Sequence, residues 1–359
     1  MTKNFLPERT GVDEPFIDRE ISLRFKGDWG QANFHRVCGW LGQEIGDRCA
    51  TGSQISILNG RGGVDAVNAV LAHDVDVAIM TPTAAAAGIP AGVGPLAAVP
   101  GVEELRALGV VPQRDRLVTC VDAALGVSRM SDLAELMPSL RIATSQDDGV
   151  NTIGLAAHHQ LGALGVTPQR LREAGGAFLY SERPFPALAA FRDGRANVVI
   201  HEAIQTPAWQ RIAEQHEVTY LDVDPVVAAA FGEWHWPTAT VPSGYLPGLD
   251  RDLTALEFAD FLLICHVDLP DDIASMIAWC LVATREAIEA QYRHLPAHRS
   301  PIHYPLEPKE IATTPIPLHP AAEATYAEIG CVRSPLRRPA YARLLGSRTP
   351  SPPTRPVDG

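Results

Sequence analysis

The chain has 359 residues, of which 46% are hydrophobic and 20% are charged, and its formal net charge is −12. Its length exceeds the roughly 100 to 200 residues of one typical domain, so two lobes or domains are expected. The composition is that of an ordinary globular protein. The acidic balance excludes nucleic acid as a partner, because a phosphate backbone requires clustered Lys and Arg side chains.

The two ends of the sequence carry no targeting or membrane signal. The first thirty residues lack the apolar stretch of about 7 to 15 residues of an export signal, which predicts a cytoplasmic location. If this start is truncated or processed, the location becomes periplasmic or extracellular. No apolar run approaches about 18 residues, so no membrane insertion is expected. Residues 1–19 are interpreted as an N-terminal extension, and the Pro- and Arg-rich residues 333–359 as a flexible tail.

The first half of the chain repeats a strand, loop and helix order. A strand pattern at 21–25 is followed by a glycine loop and a helical pattern at 33–45. A second strand at 54–58, a loop at 59–63 and another helix lead to a buried strand at 75–80. This order predicts a mostly parallel sheet flanked by helices.

The same scheme restarts later, which predicts a second lobe. A strand at 140–144 is followed by a polar loop and a helix at 151–164, and the segment from residue 254 returns to the first lobe. A long helix is expected at 273–291. The predicted boundaries are 20–125 with 256–332 for lobe one and 126–255 for lobe two.

The stretch from 314 to 330 contains Pro317-Leu318-His319-Pro320 followed by Tyr326, Glu328 and Gly330. In these residues, and in weaker motifs over about residues 24–330, the chain resembles the TAXI-type solute receptors of TRAP transporters. The resemblance implies a two-lobed periplasmic-binding-protein type II fold and a small-molecule ligand. If the protein is exported, it also implies a TRAP-type permease as partner. Ala321 replaces the family's usual glycine, and the polar loops indicate an altered ligand.

Ligands of open α/β sheets bind at the carboxyl ends of strands, where loops and helix starts converge. Arg61, beside a predicted helix start, is a natural carboxylate site. The predicted ligand-binding residues are Trp29, Gln31, Asn33, Asn59, Arg61, Thr81, Ser145, Asp148, Asn151, Thr152, Tyr180, His201, Glu202, Trp236 and Tyr245.

Several of these residues have two interpretations. Asp147 and Asp148 either cap the following helix or face the cleft, where they would favour an amine or a zwitterion over an anion. Trp236 either lines the cleft or packs the edge of lobe two. His201 and Glu202 either orient a ligand or lie exposed. With Asp147 they are also the catalytic candidates, because a near-neutral imidazole beside a carboxylate is a suitable general base.

The predicted function is binding of a small organic anion or zwitterion, carboxylate- or amino-acid-like, in the cleft of a TAXI-type solute-binding protein. The alternative is a cytoplasmic enzyme on the same scaffold, a decarboxylase or lyase of a small or aromatic carboxylate, with no transport role. A cytoplasmic ligand sensor is a third interpretation. No phosphate-binding, metalloprotease or nucleophile-elbow motif is present, and the spacing of His, Asp and Glu indicates no metal site or cofactor.

Overall fold

The computed structural model describes residues 13–28, 33–204, 207–297 and 300–331. In this part of the chain the strands are β1 (Ser22–Lys26), β2 (Gln54–Leu58), β3 (Val77–Met80), β4 (Leu105–Val111), β5 (Arg116–Asp122), β6 (Arg141–Ser145), β7 (Ala177–Ser181), β8 (Val198–Glu202), β9 (Val218–Leu221), β10 (Thr238–Val241), β11 (Leu253–Glu257) and β12 (Phe261–His266). The α-helices are α1 (Asn33–Gly46), α2 (Gly63–Leu71), α3 (Thr152–Ala163), α4 (Pro168–Glu173), α5 (Pro184–Arg192), α6 (Pro207–Gln215), α7 (Pro225–Gly232), α8 (Asp271–Ala283), α9 (Arg285–Ala290), α10 (Pro308–Ile311) and α11 (Pro320–Ile329).

Within the described residues the strands form two separate sheets. The first has the order β2-β1-β3-β12-β4, with β12 antiparallel to both of its neighbours and the other pairings parallel. The second has the order β10-β11-β5-β8-β6-β7, with β9 paired to β5. In that sheet β6 runs parallel to β7 and β8, and the other pairings are antiparallel. The predicted two-lobed α/β fold is confirmed, with mixed sheets in both lobes.

The first boundary between the lobes differs from the prediction. Strand β5 pairs with β8, β9 and β11 in the second sheet, whereas the predicted boundary at residue 125 placed it in lobe one. An apolar strand shows only that it is buried, and its pairing partners come from much later in the chain. Lobe two therefore begins near Arg116 and extends to Glu257.

The chain crosses between the lobes twice, at residues 112–115 and 258–260. Gln113 joins the two crossings: its backbone N–H donates to Asp260 Oδ1 at 3.0 Å, and its Nε2 donates to the Phe258 carbonyl at 3.0 Å. The Asp115 N–H in turn donates to the Gln113 side chain at 2.6 Å. Two adjacent, hydrogen-bonded connections are the geometry of a hinge between lobes.

The lobes also pack on each other beside this hinge. One buried apolar cluster contains Val67 and Leu262 from lobe one together with Ile142, Phe231 and Trp236 from lobe two. Each lobe has a further cluster of its own, one built around α1 and α8 and the other around α5 and α6. The interlobe contact is therefore partly hydrophobic.

The helix expected at 273–291 is interrupted at Thr284, between α8 and α9. The Thr284 hydroxyl donates to the Cys280 carbonyl at 2.9 Å and accepts the Trp40 indole N–H at 3.0 Å. A threonine that bonds its own preceding turn is a known cause of helix distortion. No helix of the described residues is long and apolar enough to cross a bilayer.

Candidate functional site

A cavity of about 230 Å³ lies between the lobes, close to the two crossings. Its walls come from the carboxyl ends of β1, β3 and β8 and from the starts of several helices. Seven of the residues predicted from the sequence line this cavity: Asn33, Arg61, Thr81, Asn151, Thr152, His201 and Glu202.

Helices from both lobes begin at the cavity. In lobe one α1 begins at Asn33 and α2 at Gly63, and in lobe two α3 begins at Thr152. Asn151 caps α3, because its side-chain oxygen accepts the N–H groups of Ile153 and Gly154 at 3.0 and 3.1 Å. Helix starts carry a partial positive charge, so this part of the wall suits an anionic group.

Arg61 lies at the mouth of the cleft and pairs with lobe two. Its Nη2 donates to Asp148 Oδ2, and its Nε lies 3.6 Å from Glu182 Oε1. Burial pushes the pKa of Asp148 upward, but the hydrogen bonds from Arg61 and from the N–H groups of Val150 and Asn151 hold it below its ordinary value. Arg61 was predicted to hold a ligand carboxylate; in the structure its charge is already compensated by acidic groups across the cleft.

Asp148 bonds the backbone at the start of α3 and also pairs with Arg61 at the mouth of the cleft. Its Oδ1 accepts the N–H groups of Val150 and Asn151 at 3.1 and 3.0 Å, directly before α3. Its other oxygen bonds Arg61. Neither Asp148 nor the exposed Asp147 lines the cavity. The sequence suggested that Asp147 and Asp148 add acidic groups to the ligand site. In the structure they lie at the rim of the cleft and not in the cavity.

The lobes touch at Gly63, which has a φ of 51°. A Cβ at this position would lie 1.8 Å from Thr152 Oγ1 and 3.3 Å from the Val150 carbonyl oxygen, both in lobe two. Any side chain here would hold the lobes apart. The structure is therefore a closed arrangement of the two lobes.

Three carboxyl groups from different elements lie on the floor of the cavity: Asp28, Asp115 and Glu202. Asp28 and Asp115 are each 2% exposed. Burial and the charge of Asp28 raise the pKa of Glu202 to about 7. Burial and the charge of Glu202 raise the pKa of Asp115 well above its ordinary value. Asp115 and Glu202 therefore keep a proton to a higher pH than ordinary carboxyl groups do.

His201 is fully buried at the end of β8. Burial lowers the pKa of its imidazole to about 3, so the ring is neutral at pH 7. Its Nδ1 accepts the N–H of Glu202 at 2.9 Å. The expectation of a near-neutral histidine base is wrong, because the protein excludes the water that would stabilise the charged ring. Of this pair, Glu202 has the pKa suited to proton transfer.

The remaining walls are apolar or cationic. Aromatic and aliphatic side chains that line the cavity are Phe34, Ile153, Phe185, Leu188, Trp209, Phe258 and Phe261. Arg36 and Arg183 also line it, and neither forms a salt bridge with another described residue. The Arg36 guanidinium lies 5.5 Å from the centre of the Tyr292 ring.

Two aromatic residues of the prediction lie elsewhere. Tyr180 is 43% exposed on edge strand β7, where its ring stacks on Phe178 with centroids 5.3 Å apart. Trp236 is 1% exposed, and its Nε1 donates to the Glu257 carbonyl at 2.6 Å. Of the two interpretations of Trp236, packing within lobe two is the one observed.

Three further predicted residues do not line the cavity. Asn59 is exposed at the end of β2, and Ser145 is 1% exposed at the end of β6. Tyr245 is partly buried against the core of lobe two. All three follow or flank strands, but side chains at a strand end point to either side. Trp29 and Gln31 lie outside the described residues.

Asp115, Phe258 and Arg36 were missed from the sequence. Asp115 and Phe258 belong to the two crossings, which carry no loop or glycine signal. Arg36 lies one turn into the amphipathic helix α1, where a charge usually indicates a solvated face. Asp28 had a sequence signal that could have predicted it as a cavity residue, because it follows β1 in the glycine loop. Arg183 had one too, because it directly precedes α5.

The signature motif around His319 lies away from the cavity. The Nδ1 of His319 accepts the N–H of Ala321 at 3.3 Å and thereby caps α11, and its Nε2 lies 3.2 Å from the Val267 carbonyl. Burial lowers the pKa of this imidazole, so the ring is neutral and its Nε2–H donates to Val267. The motif therefore fastens α11 to the turn after β12.

Comparisons with solved structures give distant likenesses. The chain is similar to MatC from Rhodopseudomonas palustris with bound malate, at 14% identity and a TM-score of 0.48, covering 86% of this chain and 96% of that chain. It is similar to the periplasmic binding protein BugD, at 13% identity and 0.48, covering 87% and 94%. A TctC solute binding protein from Polaromonas matches at 10% identity and 0.45, covering 87% and 98%. Likenesses this distant say nothing about the ligand of this chain.

No curated protein matches the sequence. The profile of the NMT1-like family matches residues 35–330. This span includes both crossings, both sheets apart from β1, and the His319 motif. The chain therefore belongs to the NMT1-like family.

Proposed function

We propose that the protein is a solute-binding protein that closes its two lobes on one small zwitterion, a molecule with a carboxylate at one end and an amine at the other. The observation that carries the proposal is the charge arrangement of the cavity. The carboxyl floor of Asp115 and Glu202 lines the same 230 Å³ cavity as several helix starts and the guanidinium groups of Arg36 and Arg183, which form no salt bridge with another described residue.

The carboxyl groups on the floor of the cavity favour a ligand that carries an amine. A protonated amine beside Glu202 and Asp115 would favour their ionised forms and would itself be stabilised by them. An anion placed there would meet groups whose pKa values are already raised by burial and by the charge of a neighbouring carboxyl. A simple organic anion is therefore a poorer fit than a zwitterion.

The arginines and helix starts that line the cavity favour a carboxylate on the same ligand. Arg183 precedes α5, Arg36 lies in the first turns of α1, and the start of α3 adds the partial positive charge of a helix N-terminus. Arg61 serves another role in this proposal: its pairing with Asp148 fastens the closed form. Ligand binding and lobe closure then use different arginines.

The walls and the volume limit the ligand. The volume is below the roughly 300 to 1,000 Å³ of pockets for drug-sized molecules. Phe34, Phe258 and Phe261 offer apolar contact, so the proposal favours a zwitterion with a short apolar or aromatic body over a highly hydroxylated one.

The location of the protein distinguishes a transport receptor from a cytoplasmic ligand sensor. A TAXI-type receptor would work with a TRAP-type permease outside the cytoplasm, and a cytoplasmic protein of the same architecture would act as a ligand sensor. Fractionation of the cells that make the protein, followed by immunodetection, decides between these two compartments.

The test is a thermal-shift screen of the purified protein with amino acids, amines, dicarboxylates and aromatic acids at pH 7. A ligand at 100 times its Kd adds about 2.7 kcal/mol to the free energy of unfolding, which is readily detected. Zwitterions are expected to stabilise the protein, and the matched carboxylates without the amine are expected to stabilise it far less. Stabilisation by carboxylates alone, independent of an amine, would contradict the proposal.

A second function is favoured by one observation, the pKa of about 7 for Glu202. A carboxyl with this pKa in a cleft between two lobes is suited to accept or donate a proton at neutral pH. The corresponding hypothesis is an enzyme, a decarboxylase or lyase acting on a small carboxylate. A stabilising ligand that is consumed over hours, with consumption lost in Glu202→Gln, supports the enzyme; an unchanged ligand supports the binding protein.

A further inference from the structure

A second polar cluster lies on the surface of lobe one, apart from the cleft. His73, at the end of α2, and His266 and Asp268, at the end of β12, bring one potential ligand atom each to within 4.8 Å of one another. The rings of His73 and His266 lie 4.3 Å apart between centroids, tilted by 54°. We propose that His73, His266 and Asp268 bind one zinc ion.

The central ligand is already oriented. His266 is 7% exposed, and its Nε2 lies 2.8 Å from Glu104 Oε2. Its Nδ1 accepts the N–H of Asp268 at 3.2 Å and lies 3.4 Å from Asp268 Oδ2. An imidazole that donates Nε2–H to a carboxylate and keeps a lone pair on Nδ1 has the tautomer that metal-binding histidines show. Zinc at Nδ1 replaces one long backbone hydrogen bond.

The backbones that carry the ligands are fixed. His73 has a φ of 57°, and Arg24 Nη2 donates to its carbonyl at 3.0 Å. His266 pairs with Leu105 at the end of the β12–β4 ladder. The His319 imidazole contacts the Val267 carbonyl at 3.2 Å, between the two ligands of the turn. The cluster therefore needs side-chain rotation but no movement of the strands.

The chemistry of the donors selects the ion. Two imidazoles and a carboxylate are ligands of Zn²⁺, whereas Ca²⁺ and Mg²⁺ prefer oxygen. Ligand atoms of a tetrahedral zinc site with bonds of about 2.0 to 2.1 Å lie about 3.3 Å apart. His73 and Asp268 are both exposed, so their side chains can close the difference. The Asp268 and Glu104 carboxylates lie beside the His266 ring and carry the charge opposite to that of the ion.

The ion would join the end of α2 to the turn between β12 and α8. These segments are separated by almost two hundred residues in the chain, so the site would clip together the two parts of lobe one. The function is structural, and it is independent of the ligand of the cleft.

The test is calorimetric titration of tag-free, metal-free protein with zinc chloride, compared with calcium chloride. The structure also supplies a matched control: His73 and His235 are both exposed histidines with positive φ values of 57° and 58°. Asparagine tolerates this conformation, so we expect His73→Asn and His235→Asn to cause the same small change in the backbone. The wild type and His235→Asn are expected to bind zinc with the same Kd, and His73→Asn to bind it at least tenfold more weakly.

Glu104→Gln tests whether Glu104 orients the His266 ring without itself binding the ion. Loss of the orienting carboxylate is expected to weaken zinc binding by about tenfold, as for other residues that hold a metal ligand. Absence of zinc binding by the wild type overturns the proposal. So does equal binding by His73→Asn, or binding of calcium with the affinity of zinc, which would indicate only an acidic surface.

Discussion

The mouth and the floor of the cleft both contain charged groups, but they differ in how those charges are balanced. At the mouth, Arg61 is paired across the lobes with Asp148, and both side chains are partly exposed. On the floor, Asp115 is 2% exposed and Glu202 is half-buried, and burial together with the charge of a neighbouring carboxyl raises the pKa of each. The comparison separates two roles: charges at the mouth hold the lobes to each other, and charges on the floor interact with what the lobes enclose.

The largest expected effect comes from keeping the lobes apart. Gly63→Ala places a Cβ 1.8 Å from Thr152 Oγ1 and is strained at a φ of 51°. We expect ligand affinity to fall by a factor of ten to a hundred, about 1.4 to 2.8 kcal/mol, with an increase in the radius of gyration measured by small-angle X-ray scattering.

The control for this substitution is Gly126→Ala. Gly126 also has a positive φ, of 66°, but no atom lies within 4 Å of an added Cβ. The control is expected to lose stability without losing affinity. Full ligand affinity in Gly63→Ala would mean that binding does not need the closed arrangement seen here.

The floor is tested by pH. The pKa of Glu202 is raised to about 7 in the folded protein from an ordinary value of 4.5, so the folded state holds the proton longer than the unfolded state. The free energy of unfolding should therefore fall as pH rises from about 4.5 to about 7, by at most about 1.4 kcal/mol for each pH unit. Glu202→Gln is expected to remove most of this fall, measured by urea unfolding between pH 5 and pH 8.

Glu135→Gln, at an exposed glutamate, should leave the pH profile of the wild type unchanged. Histidines whose pKa is lowered by burial or partial burial, such as His319 and His159, contribute the opposite slope in all three proteins and so cancel in the comparison. A Glu202→Gln profile parallel to that of the wild type would show that Glu202 is not the group responsible.

The signature motif should affect stability and not binding. His319→Ala removes the cap of α11 and the contact with Val267, which together are expected to cost about 1 to 3 kcal/mol of unfolding free energy. His319→Asn retains a capping oxygen and should recover part of it. Both are measured by chemical denaturation and by ligand titration. A loss of ligand affinity with unchanged stability would place the motif in the binding site instead.

The smallest effect is expected at the mouth. Arg61→Ala removes an interlobe pair whose side chains are 33% and 23% exposed, so we expect a loss of at most about 1 kcal/mol in ligand binding free energy, smaller at high salt. Arg19→Ala, which breaks the exposed Arg19–Asp272 pair within lobe one, is the matched control and should leave binding unchanged. Complete loss of binding in Arg61→Ala would return Arg61 to the role of a ligand anchor.

Much of the fold follows from local pattern. Hydrophobic periodicity located β1, α1 and α3 to within about two residues, because these elements bury one face or one stripe. It also located β2, from its alternating apolar residues, although this strand is mostly exposed. The sheet to which β5 belongs depends on partners far along the chain, and the break at Thr284 depends on a hydroxyl that bonds Cys280. Neither has a signature in hydrophobic spacing.

The candidate site was predicted in part for a similar reason. Residues at strand ends and helix starts, such as Arg61, Thr152 and Glu202, were found by the rule that loops at strand ends bind ligands. Asp115 was not, because it lies in a crossing between lobes. The pKa of His201 could not be predicted either, since it depends on burial that only the three-dimensional packing determines.

The most direct measurement is calorimetric titration of the wild type, Gly63→Ala and Glu202→Gln with the zwitterion that stabilises the protein most in the screen. We expect one binding site in the wild type, with affinity reduced at least tenfold in each variant. Equal affinity in all three proteins would place the ligand outside the cleft and would contradict binding by lobe closure.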